Sequence, residues 1–330
     1  MNLVFCWLPQ GPAAADENAG FGQVLDDDRV WSRLPPLEVG GRQPLPAWAR
    51  MLADSLPRTT AAMLELDASH RLRNPLGVPL AARVRWTVAR ANRSEHGMAC
   101  AEADLRRAGL DDAAIESLKE GSAEVPEQER LALAFSRRLT LEADTITDAE
   151  VARLREALGE RNLVALVLLV AHANFQDRLL LALGTAADLG SPLAPLEGRF
   201  ARVGKDGGIA VPQRIMPEPG RGPLVPERRD DEEWQSLDFK ALECSLEAQR
   251  HRPGRIRVPA WEEVVDTIPE DQRPKEPVRI LWTLVCRGYQ PELAAGWSAC
   301  LRTFAEESQQ DRVFEESMFW VITRTIHCFY

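Results

Sequence analysis

The sequence predicts an all-α protein made of a helical bundle and a second, incomplete helical repeat. Three observations carry that expectation. Between Pro44 and Gly184 apolar residues recur at helical spacing, as Leu80, Val84 and Val88 do in "VPLAARVRWTVARAN", and no alternating β run interrupts them. Helix start and stop signals punctuate the same stretch: a Thr147-x-x-Glu150 capping box, an acidic first turn after Pro126, and glycines at 109, 121, 159 and 184. Late in the chain, "VFEESMFWVITRTIHCFY" repeats the pattern of the Leu80 helix.

The elements follow in order. "AWARMLADSL" and "RTTAAMLELDASHRLR" precede the Leu80 helix, and "MACAEADLRRAGL" and "DDAAIESLKEG" follow it. "PEQERLALAFSRRL", "TDAEVARLREALG" and "RNLVALVLLVAHANFQDRLLLALG" complete the bundle, giving seven or eight helices over 44–184. The 163–182 segment should be the most buried, because it holds the longest apolar run, "LVALVLLVA". That run falls well short of the ~20 residues that span a bilayer, so it reads as a core helix and no membrane partner is expected.

Residues 185 to about 230 are rich in Pro, Gly and charge and read as an extended linker. Helical patterning resumes in "EEWQSLDFKALECSLEAQR", "PVRILWTLVCRGY" and "PELAAGWSACLRTFAEES". The expected organisation is an extension over 1–43, a helical domain over 44–186, a linker over 187–230 and an incomplete second domain over 231–330.

Composition bounds the function. Fifty acidic against 40 basic residues give a net charge of −10, which argues against nucleic acid or an anionic membrane as partner. Short basic clusters such as Arg71-Leu72-Arg73 read as solvated helix faces. The six cysteines contain no Cys-x-x-Cys pair, so neither a zinc site nor a disulfide framework is indicated. No Gly-rich phosphate loop is present and the five histidines lack ligand spacing, so no cofactor is expected. The N-terminus is apolar and reaches Ala13-Ala14-Ala15, but its first basic residue is Arg29. That is a weak secretion signal, and cytoplasmic placement is the default expectation.

The repeat can be aligned. Pro57 and Pro291 each open a helical stretch, and from there an offset of 234 residues holds without a gap. Leu80, Val84 and Val88 fall on Phe314, Met318 and Ile322, while Trp86 falls on Trp320 and Arg90 on Arg324.

In their order and spacing, "WTVARAN", "DLRRAGLDDAAIESL", "PEQERLALAFSRRLT", "TITDAEVARL" and "LVALVLLVAHANFQDRLLLALG" resemble the alkyl hydroperoxidase D-like, or carboxymuconolactone decarboxylase, family over most of residues 44–184. The resemblance implies an all-α fold, homo-oligomers, a hydroperoxide or other small-molecule substrate and a thiol reductant. It also implies peroxidase chemistry at a Cys-x-x-Cys-x-x-His motif opening a helix, with a glutamate twelve residues ahead. A helix N-terminus lowers a thiol's pKa, and the resulting thiolate attacks peroxide and is resolved by the second cysteine.

The first repeat departs from this motif throughout. Ser94 and Gly97 occupy the two cysteine positions, Cys100 the histidine position and Ala82 the glutamate position. Cys100 reads as a core residue, His96 as a surface or structural histidine and His172 as a core histidine. In the second repeat Cys328 falls on the first cysteine position and Glu316 lies twelve residues before it. Phe329 and Tyr330 fill the spacer, and the second cysteine position would come next. Three readings of this stop stand: a broken reading frame, a genuine short form with a structural second repeat, or a UGA codon decoded as selenocysteine. The leading functional expectation is a thiol- or selenol-dependent peroxidase in full-length form, with little activity in this chain. A non-catalytic helical scaffold and a decarboxylase-like acid–base enzyme are the alternatives.

Overall fold

The computed structural model describes residues 24–120, 125–184, 194–202, 254–308 and 310–325, with positions 240, 243, 244 and 247 between them. The first half contributes α1 (Asp27–Arg33), α2 (Ala47–Leu52), α3 (Pro57–Leu72) and α4 (Val78–Asn92). It continues with α5 (Glu95–Arg107), α6 (Asp112–Glu120), α7 (Glu127–Leu141) and α8 (Asp148–Ala182). After the linker come α9 (Trp261–Val264), α10 (Leu281–Tyr289), α11 (Pro291–Glu307) and α12 (Arg312–Thr325). The fold is all-α, and no strand lies among the described residues of 44–184. The one strand pairing described joins β1 (Leu37–Val39) antiparallel to β2 (Arg199–Phe200). Most of the linker, and most of 231–253, lie outside the described residues.

Local chemistry sets the helix ends. Ser94 caps α5 by accepting from the Gly97 N–H at 3.1 Å. Thr147 and Glu150 form the expected reciprocal box at the start of α8. Gly159 takes φ +74° and kinks α8, so the second part of that helix is aimed independently through the core. Leu80, Val84 and Val88 of α4 pack there against Phe135 of α7 and Leu154, Leu166 and Leu169 of α8. Each such side chain removed from water contributes about 1.5–3 kcal/mol. Among the described helices only α8 is long and apolar enough to cross a membrane, yet 61% of its apolar window is buried inside the protein. A second cluster joins Trp31 of α1, Trp48 of α2, Leu64 and Leu66 of α3, Leu180 of α8 and Phe200 of β2 with Cys300 of α11.

The backbone repeats itself further upstream than the residue pattern indicates. Helices α1, α2, α3 and α4 begin at 27, 47, 57 and 78, while α9, α10, α11 and α12 begin at 261, 281, 291 and 312, each 234 residues later. The residues before two of these helices match in conformation as well. Asp26 has φ −70°, ψ 159° against φ −69°, ψ 158° at Ala260. Leu56 has φ −135°, ψ 57° against φ −138°, ψ 63° at Gln290. On the same register Val30 falls on Val264, both wholly buried, and Leu34 on Ile268. Among the described residues the correspondence can be followed from Ala260 onward.

The copies meet through corresponding helices, α3 against α11, running antiparallel so that the start of one reaches the end of the other. Gly296 of α11 lets Leu66 of α3 come close, since a Cβ there would lie 2.9 Å from Leu66 Cδ1. At one end of the pair Glu307 is buried and supplies the cap that α3 lacks, because Leu56 offers no side-chain acceptor. Its Oε1 accepts from the Arg58 N–H at 2.8 Å and from Arg58 Nε at 3.2 Å. Its Oε2 accepts from the Thr59 N–H at 2.9 Å and from Thr59 Oγ1 at 2.7 Å. Two orphan donors and the Arg58 Nε are thus satisfied by a single carboxylate. Tyr289 bonds Glu160, and Gln290 Nε2 donates to the Arg161 carbonyl at 2.7 Å, fixing α10 on α8.

Breaking the Glu307 clamp leaves the buried Arg58 Nε and the first two N–H groups of α3 without their acceptor, with only Glu306 still on the guanidinium. Glu307→Ala is expected to cost about 3–5 kcal/mol in urea unfolding, a range set by buried ion pairs that lose one member. Glu306→Ala, whose carboxylate reaches Arg58 Nη1 from a more exposed position, should cost under about 1.5 kcal/mol.

Candidate functional site

The start of α5 brings the degenerate motif positions together. Ser94 is buried and occupied as the helix cap. Gly97 faces Asp177 of α8: a Cβ built there would lie 2.3 Å from Asp177 Oδ1 and 2.8 Å from Ala89 Cβ. A cysteine cannot enter that space without displacing a carboxylate and a helix. Ala82 is buried and clusters with Leu105 and Ile115, so a relay glutamate there would be taken out of water.

Cys100 lies one turn further along α5, 3% exposed, with its Sγ 3.4 Å from His96 Nε2. Burial pushes its thiol up to about 11 against the opposing pull of Arg71 and Arg85. It is therefore a neutral thiol at physiological pH, and the core reading holds. His96 is itself buried and structural. Asp177, held by Asn92 Nδ2 at 3.1 Å, is raised by burial, with the hydrogen bonds from Asn92 and Ser94 opposing the shift.

Beneath the motif lies a charge network that the sequence pattern does not reveal. Arg71 of α3 makes a two-point bond to Asp104 of α5, at 2.7 Å from both Nε and Nη2, and reaches Asp67 at 3.2 Å. Arg85 of α4 spans from Asp67 at 2.9 Å to Gln176 of α8 at 2.9 Å. Arg107 also bonds Asp104. Burial alone would raise the Asp67 carboxyl, but Arg71, Arg85 and His172 hold it well below the usual carboxylate range. The expectation that Arg71 lies on a solvated face is corrected here: it is 4% exposed, because Asp67 and Asp104 neutralise it inside the bundle. The i,i+4 spacing of Asp67 and Arg71 is the one local signal that pointed to it.

His70 and His172 stack in this network with centroids 4.5 Å apart and rings 9° from parallel. Asn74 Oδ1 accepts from the Leu76 N–H, so its Nδ2 faces His70 Nδ1 at 3.5 Å, which assigns the His70 proton to Nε2. Neither His70 Nε2 nor His172 Nδ1 has a hydrogen-bond partner among the described residues. His172 Nε2 lies 3.5 Å from Asp67. Burial outweighs the pull of that carboxylate and lowers the His172 pKa, so the contact is a hydrogen bond from neutral imidazole and not an ion pair. On its other side His172 meets the edge of Trp297, from α11, at 6.1 Å.

Register 234 carries these positions into the second copy with their chemistry erased. Asp67, His70, Arg71 and Arg85 correspond to Leu301, Phe304, Ala305 and Phe319. Glu316 lies exposed on α12, beside Val313, Ser317 and Trp320 on an open surface. Cys328 lies outside the described residues, as do Cys6, Phe329 and Tyr330. No group of His, Cys, Asp or Glu with metal-binding geometry occurs among the described residues.

Two measurable consequences follow from this packing. Gly97→Cys should destabilise the fold by about 1–3 kcal/mol through overpacking, with Asp177→Ala restoring part of the loss in urea titrations. The His pair makes stability acid-sensitive. In the unfolded chain each histidine takes up a proton as pH falls through about 6.5, whereas burial holds both neutral in the folded protein. The unfolded state then binds more protons, so stability should fall below pH ~6.5 by up to about 1.4 kcal/mol per pH unit for each histidine. A chain carrying His70→Gln and His172→Gln should show a flatter urea-midpoint profile over that window.

A scan against protein-family models finds no match along the chain, and a search of curated proteins finds none either.

Proposed function

We propose that this chain is an alkyl hydroperoxidase D-like protein whose first copy is structural and whose redox chemistry belongs to the second copy, at Cys328 with Glu316. The observation that carries this reading is the common spacing of four helix starts. On that register Cys328 corresponds to Ser94, the cap of α5, and Glu316 to Ala82. In the first copy that position caps a helix, where backbone N–H groups and the helix dipole would favour a thiolate if a cysteine stood there.

The step is a two-electron transfer. Cys328 thiolate attacks one oxygen of a hydroperoxide, the S–O bond forms as the O–O bond breaks, and the leaving alkoxide takes a proton to become an alcohol. Glu316 is the proposed proton carrier. A thiol reductant then attacks the sulfenic sulfur, releasing water and forming a mixed disulfide that a second thiol reduces. The closed first-copy motif supports a purely structural role for that copy, and a scaffold role for the whole chain is the second reading.

The test is peroxide treatment of the purified 330-residue chain, with sulfenic acid trapped by dimedone and mapped by peptide mass spectrometry. Label should appear at Cys328 and not at Cys100, and Glu316→Gln should slow labelling about 100-fold. An unlabelled Cys328 at saturating peroxide would leave the scaffold reading in its place.

A further inference from the structure

We infer that the joint between the copies is an acid-operated latch: Trp297 covers the stacked His70–His172 pair at neutral pH and swings clear when the pair takes up protons. The latch rests on a knot of dry polar atoms where α3, α8 and α11 meet. His70 Nε2, His172 Nδ1 and Trp297 Nε1 are closed to solvent, and none has a hydrogen-bond partner among the described residues. Their rings are neighbours, His70 stacking on His172 and Trp297 standing at 81° to it. Buried polar groups are nearly always paired, and each one left over costs the closed form its desolvation penalty. Opening the joint returns all of them to water. Trp297 is the piece placed to move. It is only partly buried, and Phe175, which packs on it at 5.6 Å, is 40% exposed. A path from His172 to water therefore passes one indole and one phenyl ring.

The charges around the pair tolerate it only while it is neutral. Asp67 of α3 and Asp104 of α5 face Arg71 of α3 and Arg85 of α4, and Arg107 joins from a more exposed edge. On α5, Cys100 and His96 pair with each other. From α8 come the uncharged Gln176 and Asp177, whose carboxylate Asn92 holds. From α11 comes the uncharged indole. A proton on either imidazole thus adds a cation where arginines already outnumber the carboxylates of the network. No buried anion is left to receive it, and hydration is the remaining way to stabilise it. In the open joint both rings regain an ordinary pKa near about 6.5, so below that pH the open form binds more protons than the closed one. The opening constant then rises as pH falls, by up to about 10-fold per unit for each histidine. The Glu307 clamp and the Tyr289–Glu160 bond involve no histidine, so the copies stay attached while the latch opens.

The experiment follows hydrogen exchange of indole N–H groups by NMR in the full 330-residue chain carrying isotope-labelled tryptophan. Trp297→Phe assigns the Trp297 signal. Trp31, whose indole donates to the Gln43 carbonyl at 3.1 Å, reports unfolding of the first copy. With the intrinsic pH dependence of exchange divided out, the Trp297 opening constant should rise at least about 10-fold between about pH 7.5 and about pH 5.5. The Trp31 constant should change far less over the same range. His70→Gln and His172→Gln should each cut the logarithmic slope of the Trp297 rise to about half, since each removes one of the two protons taken up. Should either variant fail to fold, the comparison of the two indoles in the wild-type chain still decides. A Trp297 constant that stays flat overturns the proposal. So do Trp297 and Trp31 rising together, which would mean global unfolding, or a rise unaltered in the folded histidine variants. None of these outcomes bears on labelling at Cys328, so the two proposals fail separately.

Discussion

Charges buried without water must neutralise one another in place, and the interior of the first copy is organised by that requirement. Asp67, Arg71, Arg85 and Asp104 come from three helices, and each completes its hydrogen bonding only when the others stand in register. Removing any one strands its neighbour in a medium where an unpaired charge is very costly. The network therefore selects a single arrangement of α3, α4, α5 and α8, where an oily core would tolerate several. The closed motif is a by-product. With Asp177 against Gly97 and Ala82 buried beside Leu105, the space in which a thiol pair would work is filled by the packing that surrounds these charges.

The second copy keeps the helix spacing and abandons the charges. Leu301, Phe304 and Phe319 stand where the first copy has Asp67, His70 and Arg85, and all three are exposed, so the same helix spacing is kept there without the buried ion pairs. What remains shared is the contact between copies. Helices α3 and α11 pack on each other, and Trp297 reaches from the second copy to the stacked histidines of the first. The two halves are unlike inside and joined at a surface both inherited from one helix.

Much of this was legible in the sequence where the signal is local. The spacing of Leu80, Val84 and Val88, the Thr147–Glu150 box and the paired Pro57 and Pro291 each act within a few residues, and each appears as expected. The correspondence of α1 with α9 was not legible, because those helices are short and share only Val30 with Val264 and few similar residues around them. The charge network escaped for a different reason. His172 meets Asp67 across 105 residues, and nothing near either residue indicates the other. Arg71 looked solvated because Arg73 stands beside it, yet two residues are about half a helix turn apart, and only tertiary packing decides which arginine is inside. Gly97 read as a lost cysteine; its physical cause, the Asp177 carboxylate, lies on another helix.

The cap that Glu307 places on α3 has a consequence in time. Glu307 is 249 residues away from the Arg58 amide it accepts from. At ordinary elongation rates of 5–20 residues per second, a ribosome delivers it roughly 12 to 50 seconds after Arg58 emerges. During that interval the first copy can assemble its own charges, which are all encoded within it, while the start of α3 waits with bare N–H groups and a buried arginine lacking its carboxylate. The newborn first half is thus competent to fold but not to finish, and its last hydrogen bonds close only when the second half arrives.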